Sequence, residues 1–539
     1  MRSRRLAADN PARPAPALGG RSIARAGLIV TIGFLASRVL GWARLAVITN
    51  QFGASRDLDA FLAAFRIPDT LFQLVAAGAV GSALIPVVTE LLGAGEEERA
   101  WRVVSTIFDL AVLVLVPLAL VLAVAAPVLM PLITPTFAPA QAELVVQLTR
   151  VMLVSPIFLT LGATAGALLN ALNSFGAPTL APIAYNVAII AAAILLAPTM
   201  GVTGVAAGVA LGAVAHLGVQ LPPLLGRGLR YRPVLDLRDA ATRRILLLLA
   251  PRALGTGATQ IVFLVNTMFA TSLGTGALSV YTVAFTVLLI PVGILGVPLG
   301  VVLLPALSQA VVAGEMGRFA GVVGRALRQL FFVVAPATGL MFVFGRPIVA
   351  ILFGHGDFTP HDVDLTAATL SVFLVGLGGH VLVAILAPAF FAFQDTRTPV
   401  AAALAAVAVD VAGAILLIGP LGLNGLALAI GLGAWVEAAI LFGLLLRRVP
   451  GIELLGLGRS IVVFVAGAAL ASAVGLGAGL GVEALLGRHL NTLGLIVEVG
   501  LGGGLGVLAY AAWSVVFEVE ELGEWIGLGR GLLGRERAG

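Results

Sequence analysis

The chain has 539 residues, 60% of them hydrophobic and 11% charged, with a mean hydropathy of +1.08 and a net charge of +5. A water-soluble domain carries about a quarter charged residues, so these figures exclude one, and recurring apolar runs of about 20 residues indicate a polytopic α-helical membrane protein. There is no cysteine, which excludes disulfides and thiolate chemistry, and all 32 basic residues are arginines scattered over many short loops, a pattern that does not make a nucleic-acid surface.

Residues 1–25 are rich in Arg, Pro and Ala and read as a disordered basic cytoplasmic tail. The apolar run after Arg25 continues at full-span length without a small-residue cleavage site, which reads against a cleaved leader. Apolar segments then follow at 26–50, 58–86, 103–133, 142–172, 178–198 and 202–225, forming an N-terminal six-helix lobe (26–225). The charged stretch "GRGLRYRPVLDLRDAATRR" (226–244) is a cytoplasmic linker, expected to hold a short interfacial helix with its arginines at the anionic inner leaflet. A second six-helix lobe (245–446) is drawn from 245–274, 278–312, 329–353, 364–392, 398–419 and 423–446. An additional helix pair (460–517, from 460–484 and 491–517) and an amphipathic cytoplasmic tail (518–539) complete about 14 transmembrane helices.

Arginine placement tests this count. With the N-terminus cytoplasmic, 24 arginines fall on the inner side, three (Arg56, Arg346, Arg488) on the outer side and five within spans. That asymmetry obeys the positive-inside rule and predicts that both termini are cytoplasmic. The chain also repeats itself. "FAPAQAEL" from Phe137 matches "FTPHDVDL" from Phe358, and "GVTGVAAGVALGA" from Gly201 matches "GLNGLALAIGLGA" from Gly422, both at an offset of 221. Six spans per repeat preserve orientation, so the lobes form a parallel repeat.

The charges inside spans carry the functional reading. An arginine at a helix centre costs about 3 kcal/mol on insertion scales, so it faces a partner or a water-filled cavity. Arg38 and Arg44 are six residues apart, which points them about 120° and 9 Å apart on a helix. Gly41 between them permits close approach of a ligand. Guanidinium groups bind phosphate bidentately, so a cleft lined by them suits a phosphorylated anion. Asp59, which opens the second span, is the candidate ion-pair partner; a salt bridge between the first two helices is the competing account of these charges.

The stretches "SRVLGWAR", "FGAS", "DAFLAAFRIP", "GAVGSALIPVVTE", "LLNALN", "LVNTMFA", "PVGILGVPLGVVLLPALS" and "APAFFAFQDTRTPV", in this order, resemble the MurJ (MviN) family of lipid II flippases, part of the multidrug/oligosaccharidyl-lipid/polysaccharide exporter superfamily. The resemblance runs from about Arg25 to the C-terminus. It implies two six-helix lobes plus a final pair whose groove takes the lipid tail, a central cationic cavity, and alternating access. The implied cargo is a polyprenyl-pyrophosphate-linked peptidoglycan precursor carried to the outer leaflet of the bacterial cytoplasmic membrane. By position, the family's substrate residues fall on Arg38 and Arg44 with Ser37 and Gly41, on Asp59 and on Arg66. The sequence departs from the family at Leu45, where an Asp is usual, at Phe72 or Gln73 and Ala77, where Arg and Glu are usual, and near Thr286, where an arginine is usual. Arg252 is the candidate to compensate.

The resemblance further implies no cofactor, coupling to membrane potential or a monovalent cation, and membrane lipids and cell-wall synthesis proteins as partners. Asn266 and Asp410 are the candidate cation site, against a plain interhelical hydrogen bond. His216 and His380 read as packing or pairing residues. The chain is not expected to be an enzyme, since no nucleophile–base pair or metal-spaced cluster is evident. Two alternatives stay open: an exporter of another lipid-linked oligosaccharide or amphiphile, and a degenerate paralogue that does not transport.

Overall fold

A computed structural model describes residues 20–75, 79–451, 454–487 and 490–535. The described residues are helical, with no strand, and twelve helices are long and apolar enough to cross a membrane. In chain order the helices are α1 (Gly20–Phe52), α2 (Arg56–Val75), α3 (Ala79–Gly93), α4 (Glu97–Ile133), α5 (Pro139–Met152), α6 (Ser155–Ala171), α7 (Gly176–Leu195), α8 (Ala197–Met200), α9 (Val202–Gly218) and α10 (Leu221–Leu225). They continue with α11 (Ala240–Thr271), α12 (Ala277–Pro291), α13 (Val297–Val312), α14 (Met316–Phe353), α15 (Pro360–Ala392), α16 (Arg397–Leu421), α17 (Leu423–Arg448), α18 (Leu454–Leu486), α19 (Thr492–Val516) and α20 (Glu520–Arg535). One π turn, Val292–Gly296, joins α12 to α13.

Two of the expected fourteen spans lie outside the twelve. The segment 58–86 is shared between α2 and α3, and α2 carries Arg56, Asp57, Asp59, Arg66 and Asp69. The segment 245–274 lies in α11 with Arg243, Arg244 and Arg252. The described apolar stretches at these places, Ala83–Gly93 and Gln260–Thr271, are each shorter than a full span.

The repeat is visible in the backbone. Gly201 and Gly422, 221 residues apart, both end a helix with positive φ (58° and 56°), a conformation that favours glycine. Asn173 and Gln394, again 221 apart, are two of the few non-glycine residues with positive φ (56° and 59°). The N-terminal prolines of α5 and α15, Pro139 and Pro360, keep the same offset. In α15 a capping box adds to this: the Thr359 hydroxyl accepts from Asp362 N at 3.2 Å while the Asp362 carboxylate accepts from Thr359 N at 2.8 Å.

The chain divides into two compact units. The first comprises Met1–Val47, Ala64–Met130 and Glu143–Gly257, and the second Ile48–Ala63, Pro131–Ala142 and Ala258–Gly539. An apolar cluster in the first unit joins α3, α4 and α6 through Leu84, Val88, Trp101, Val104 and Leu168. In the second, Phe332 of α14, Phe464 of α18 and Tyr510 of α19 pack together, and the Tyr510 hydroxyl donates to Phe332 O at 2.8 Å. The α20 helix is tied to α14 by an Arg328–Glu521 ion pair at 3.0 Å and by Gln329 with Glu524.

The linker differs from expectation. Residues 229–236 form neither helix nor strand, and helix begins only at Ala240. Pro233 lacks an N–H, and the N–H groups of Arg232, Val234 and Asp236 are satisfied by Ser105, Asp109 and Thr106 side chains of α4. The backbone thus finds outside itself the partners that a helix provides internally. The 1–25 tail lies largely outside the described residues.

Candidate functional site

Within the first unit, α1, α2, α6, α7 and α9 enclose a cleft of about 310 Å³ lined by Arg44, Asp69, Phe72, Ser155, Tyr185 and His216 among others. The Arg44 guanidinium carbon lies 5.8 Å from the centre of the Tyr185 ring, within the range of a cation–π contact. The ring restrains the side chain while leaving guanidinium N–H groups to a ligand. Arg66 and Asp69 are three residues apart on α2, hence neighbours on its surface. The Asp69 carboxylate feels the positive charges of Arg66 and Arg44 and accepts from Gln73 Nε2 at 3.4 Å. The cleft is therefore lined by one guanidinium, one carboxylate, aromatic walls and a histidine, with Arg66 acting on the same carboxylate from α2.

The other expected site residues separate. Arg38 is exposed, its guanidinium carbon 5.1 Å from the Phe34 ring one turn earlier, and it does not line the Arg44 cleft. That follows from the offset of about 120° between the two positions. Ser37 contributes its carbonyl, which accepts from Asn186 Nδ2 at 3.4 Å. A Cβ built on Gly41 meets nothing within 4 Å, so Gly41 faces open space and no neighbouring helix needs its small size. Arg252 lies on α11, and its side chain is outside the described residues, as is Ala77.

Asp59, expected beside an arginine, has other partners. It is fully buried in the second unit, where Oδ2 accepts from Gly276 N at 2.6 Å and Oδ1 accepts from Ser279 N at 2.9 Å and Ser279 Oγ at 2.7 Å. The first N–H groups of a helix have no internal acceptor, so Asp59 caps α12 from a distant part of the chain. Gly276 itself has φ +82°.

Asn266 and Asp410 make the interhelical hydrogen bond that is the alternative to a cation site: Asn266 Nδ2 donates to Asp410 Oδ2 at 2.8 Å, with the two residues 0% and 2% exposed. Their other oxygens, Asn266 Oδ1 and Asp410 Oδ1, are buried without a hydrogen-bond partner. One carboxylate and one amide oxygen are hard donors of the kind that an alkali cation takes.

Sequence reasoning missed Asp69 and Tyr185 and treated His216 as packing. Asp69 had a signal, an acid in an apolar span three residues after Arg66; Tyr185 had none, because nothing local ties α7 to α1.

Comparison with known proteins decides the family. The family model for the lipid II flippase MurJ matches residues 48–493. The chain belongs to the lipid II flippase MurJ family. It is 35% identical over 428 residues to the lipid II flippase MurJ of Burkholderia cenocepacia, covering 77% of this chain and 82% of that one. It is 32% identical over 472 residues to the probable lipid II flippase MurJ of Vibrio cholerae, covering 85% and 89%. Among solved structures it resembles a lipid II flippase MurJ in an inward closed conformation, with a TM-score of 0.76 at 21% identity over 91% of this chain and 98% of that one. It also resembles an inward-facing multidrug-resistance MATE transporter, with a TM-score of 0.68 at 17% identity over 79% and 99%. These two likenesses speak to the fold. The MurJ family assignment and the many long apolar helices make the chain an integral membrane protein.

Proposed function

We propose that the protein flips lipid II, a polyprenyl-pyrophosphate-linked peptidoglycan precursor, from the inner to the outer leaflet of the bacterial cytoplasmic membrane by alternating access. Both termini are cytoplasmic in this reading. The carrying observation is the Arg44 cleft in a chain of this family: a guanidinium set against Tyr185 in an open cleft, with a second arginine, Arg66, acting on the same Asp69 carboxylate. Arg44 and Arg66 take the diphosphate. Asp69 competes for the same two cations, so binding stays weak enough to reverse, which a transporter needs in order to release its cargo. Asn266 Oδ1 and Asp410 Oδ1 would hold a monovalent cation that supplies a driving gradient.

Complementation of a flippase-depleted strain tests this. The parental chain restores growth, Arg44→Gln does not, and Arg44→Lys does in part, because a phosphate needs charge and donors. Loss of one charged hydrogen bond costs about 1.5–3 kcal/mol, which is roughly a ten- to hundredfold loss of affinity. Full growth with Arg44→Gln overturns the assignment of the cleft. Phe72, which lines the cleft and with Gln73 is one of the two positions where the resemblance leads one to look for an arginine, favours a second reading, export of a different lipid-linked anion. Failure of the parental chain to complement, with retained binding of another polyprenyl-pyrophosphate glycan, selects it.

A further inference from the structure

A separate basic cleft lies where the linker crosses the start of α4. The N–H groups of Arg232, Val234 and Asp236 all reach α4, donating to Ser105 Oγ (3.2 Å), Asp109 Oδ2 (2.7 Å) and Thr106 Oγ1 (3.2 Å). The Tyr231 hydroxyl donates to Asp109 Oδ1 at 2.6 Å. Farther on, Asp239 accepts from Ala241 N (2.7 Å) and from Arg99 Nε (2.6 Å). Burial raises the pKa of Asp239, but the bonds from Arg99 and the α11 amides outweigh it and hold the carboxyl below its ordinary range. The linker is thus a strap pinned at both ends.

The pinning consumes the acids. Asp109 gives both oxygens to the strap and Asp239 is paired with Arg99 and α11, and neither lines the cleft that the neighbouring arginines form. Arg230 and Arg232 of the strap and Arg102 of α4 line a cleft of about 210 Å³ together with Trp101, Ser105 and Glu98. Glu98 is its one acid, 3.6 Å from Arg232, and both side chains of that pair are 75% exposed, so the pair is weak. Ser105, nearly fully buried, accepts from Arg232 N and keeps its own hydroxyl proton to donate. The volume equals about seven waters at roughly 30 Å³ each, enough for a phosphate ester.

We propose that this cleft binds a phosphate group, with Arg102, Arg230 and Arg232 as cations and Ser105 as a neutral donor. Two sources offer that chemistry: the headgroup of an anionic phospholipid and a soluble phosphate compound. Depth favours the lipid. The outward-facing apolar surface of α4 begins at Val112 and Leu113, seven residues or about 10 Å along the axis from Ser105. The headgroup layer adds about 5–8 Å to each side of the hydrocarbon core, within reach of an arginine side chain. Half-exposed Leu235, Leu237 and Tyr231 on the strap suit the same boundary.

The chain has no cysteine, so Leu235→Cys in the full-length protein takes a single environment-sensitive label beside the cleft. Dihexanoyl phosphatidylglycerol, dihexanoyl phosphatidylcholine and inorganic pyrophosphate are titrated separately. Phosphatidylglycerol is expected to give a saturable shift at least tenfold tighter than phosphatidylcholine. Arg102→Gln and Arg232→Gln each weaken it about ten- to hundredfold at an unchanged melting temperature. Glu98→Gln, which removes the competing carboxylate, tightens it. A saturable response to pyrophosphate, with the two lipids equal, keeps the phosphate site and assigns it to a soluble compound. No saturable response to any of the three overturns the proposal. So does an unchanged affinity when Arg102, Arg230 and Arg232 are all Gln, or weaker binding in Glu98→Gln.

Discussion

Replacing Asp59 with alanine removes an acceptor of three hydrogen bonds at once. Gly276 N, Ser279 N and Ser279 Oγ then lose their partner in a place with no exposed surface around the residue. An unsatisfied buried donor costs about 1–3 kcal/mol, and loss of a helix N-cap costs about 0.5–2 kcal/mol. These overlap, because the capped donors are the orphaned ones, and the Ser279 hydroxyl can rotate to another acceptor. Relief of the buried carboxylate offsets part of the loss. A net cost of about 3 kcal/mol for Asp59→Ala follows, or roughly 150-fold in the opening equilibrium of the first turn of α12. Asp59→Asn keeps an oxygen for one side of the site and sets an amide N–H₂ against a donor on the other; its cost is about 1–2 kcal/mol. Hydrogen–deuterium exchange of peptides covering 274–282, in detergent, reads both variants. Exchange at Gly276 and Ser279 should speed up by about 150-fold and by about 5- to 30-fold respectively. Exchange at the parental rate in Asp59→Ala refutes the capping argument.

Gly41→Ala should raise helix stability by about 0.5–1 kcal/mol, because nothing lies within 4 Å of the added methyl; if a cargo headgroup passes this face, flipping in vesicles slows despite the higher melting temperature, and an unchanged rate removes Gly41 from the site. A monovalent cation held by Asn266 and Asp410 should raise the melting temperature with its concentration, an increase absent in Asp410→Asn; a flat parental response excludes the cation. Asp395 caps the start of α16 through Thr398 N (3.0 Å) and accepts from Arg448 (3.0 Å), and the Thr398 amide bond, ahead of opposing burial, holds its carboxyl below the ordinary range. A lowered folded pKa gives stability that is present above the unfolded value of about 3.9 and fades as pH falls below it. Exchange at 396–400 should therefore accelerate as pH falls below about 3.9 once corrected for intrinsic rates, and Asp395→Asn should flatten that profile.

Much of the fold was legible because the membrane simplifies the code. Apolar length and arginine asymmetry locate spans without knowledge of packing, and the offset of 221 residues pairs Gly201 with Gly422 and Asn173 with Gln394, positions that take the same left-handed backbone. The strap at 229–236 escaped because its conformation is set by acceptors elsewhere in the chain. A basic segment beside a membrane has the composition of an interfacial helix, and only the placement of Ser105, Thr106 and Asp109 along α4 shows that a non-helical backbone can be satisfied there.

The site obeys the same division between local and distant information. The helical offset of Arg38 and Arg44 is a property of α1 alone; the sequence suggests that both could line one cleft, but only Arg44 lines the cleft beside Tyr185, while Arg38 lies against Phe34. The partner of Asp59 could not be read in the same way: an acid at the start of a span suits an arginine, a helix N-terminus or a ligand equally well, and the choice rests on a contact with Ser279, 220 residues away. Asp69 joins the two cases. Its spacing from Arg66 is local, but its relation to Arg44 depends on how α1 and α2 meet in the first unit. Directly after Arg44 the chain has Leu45, and the acid on which Arg44 acts, Asp69, stands on α2, a relation that spacing along α1 cannot reveal.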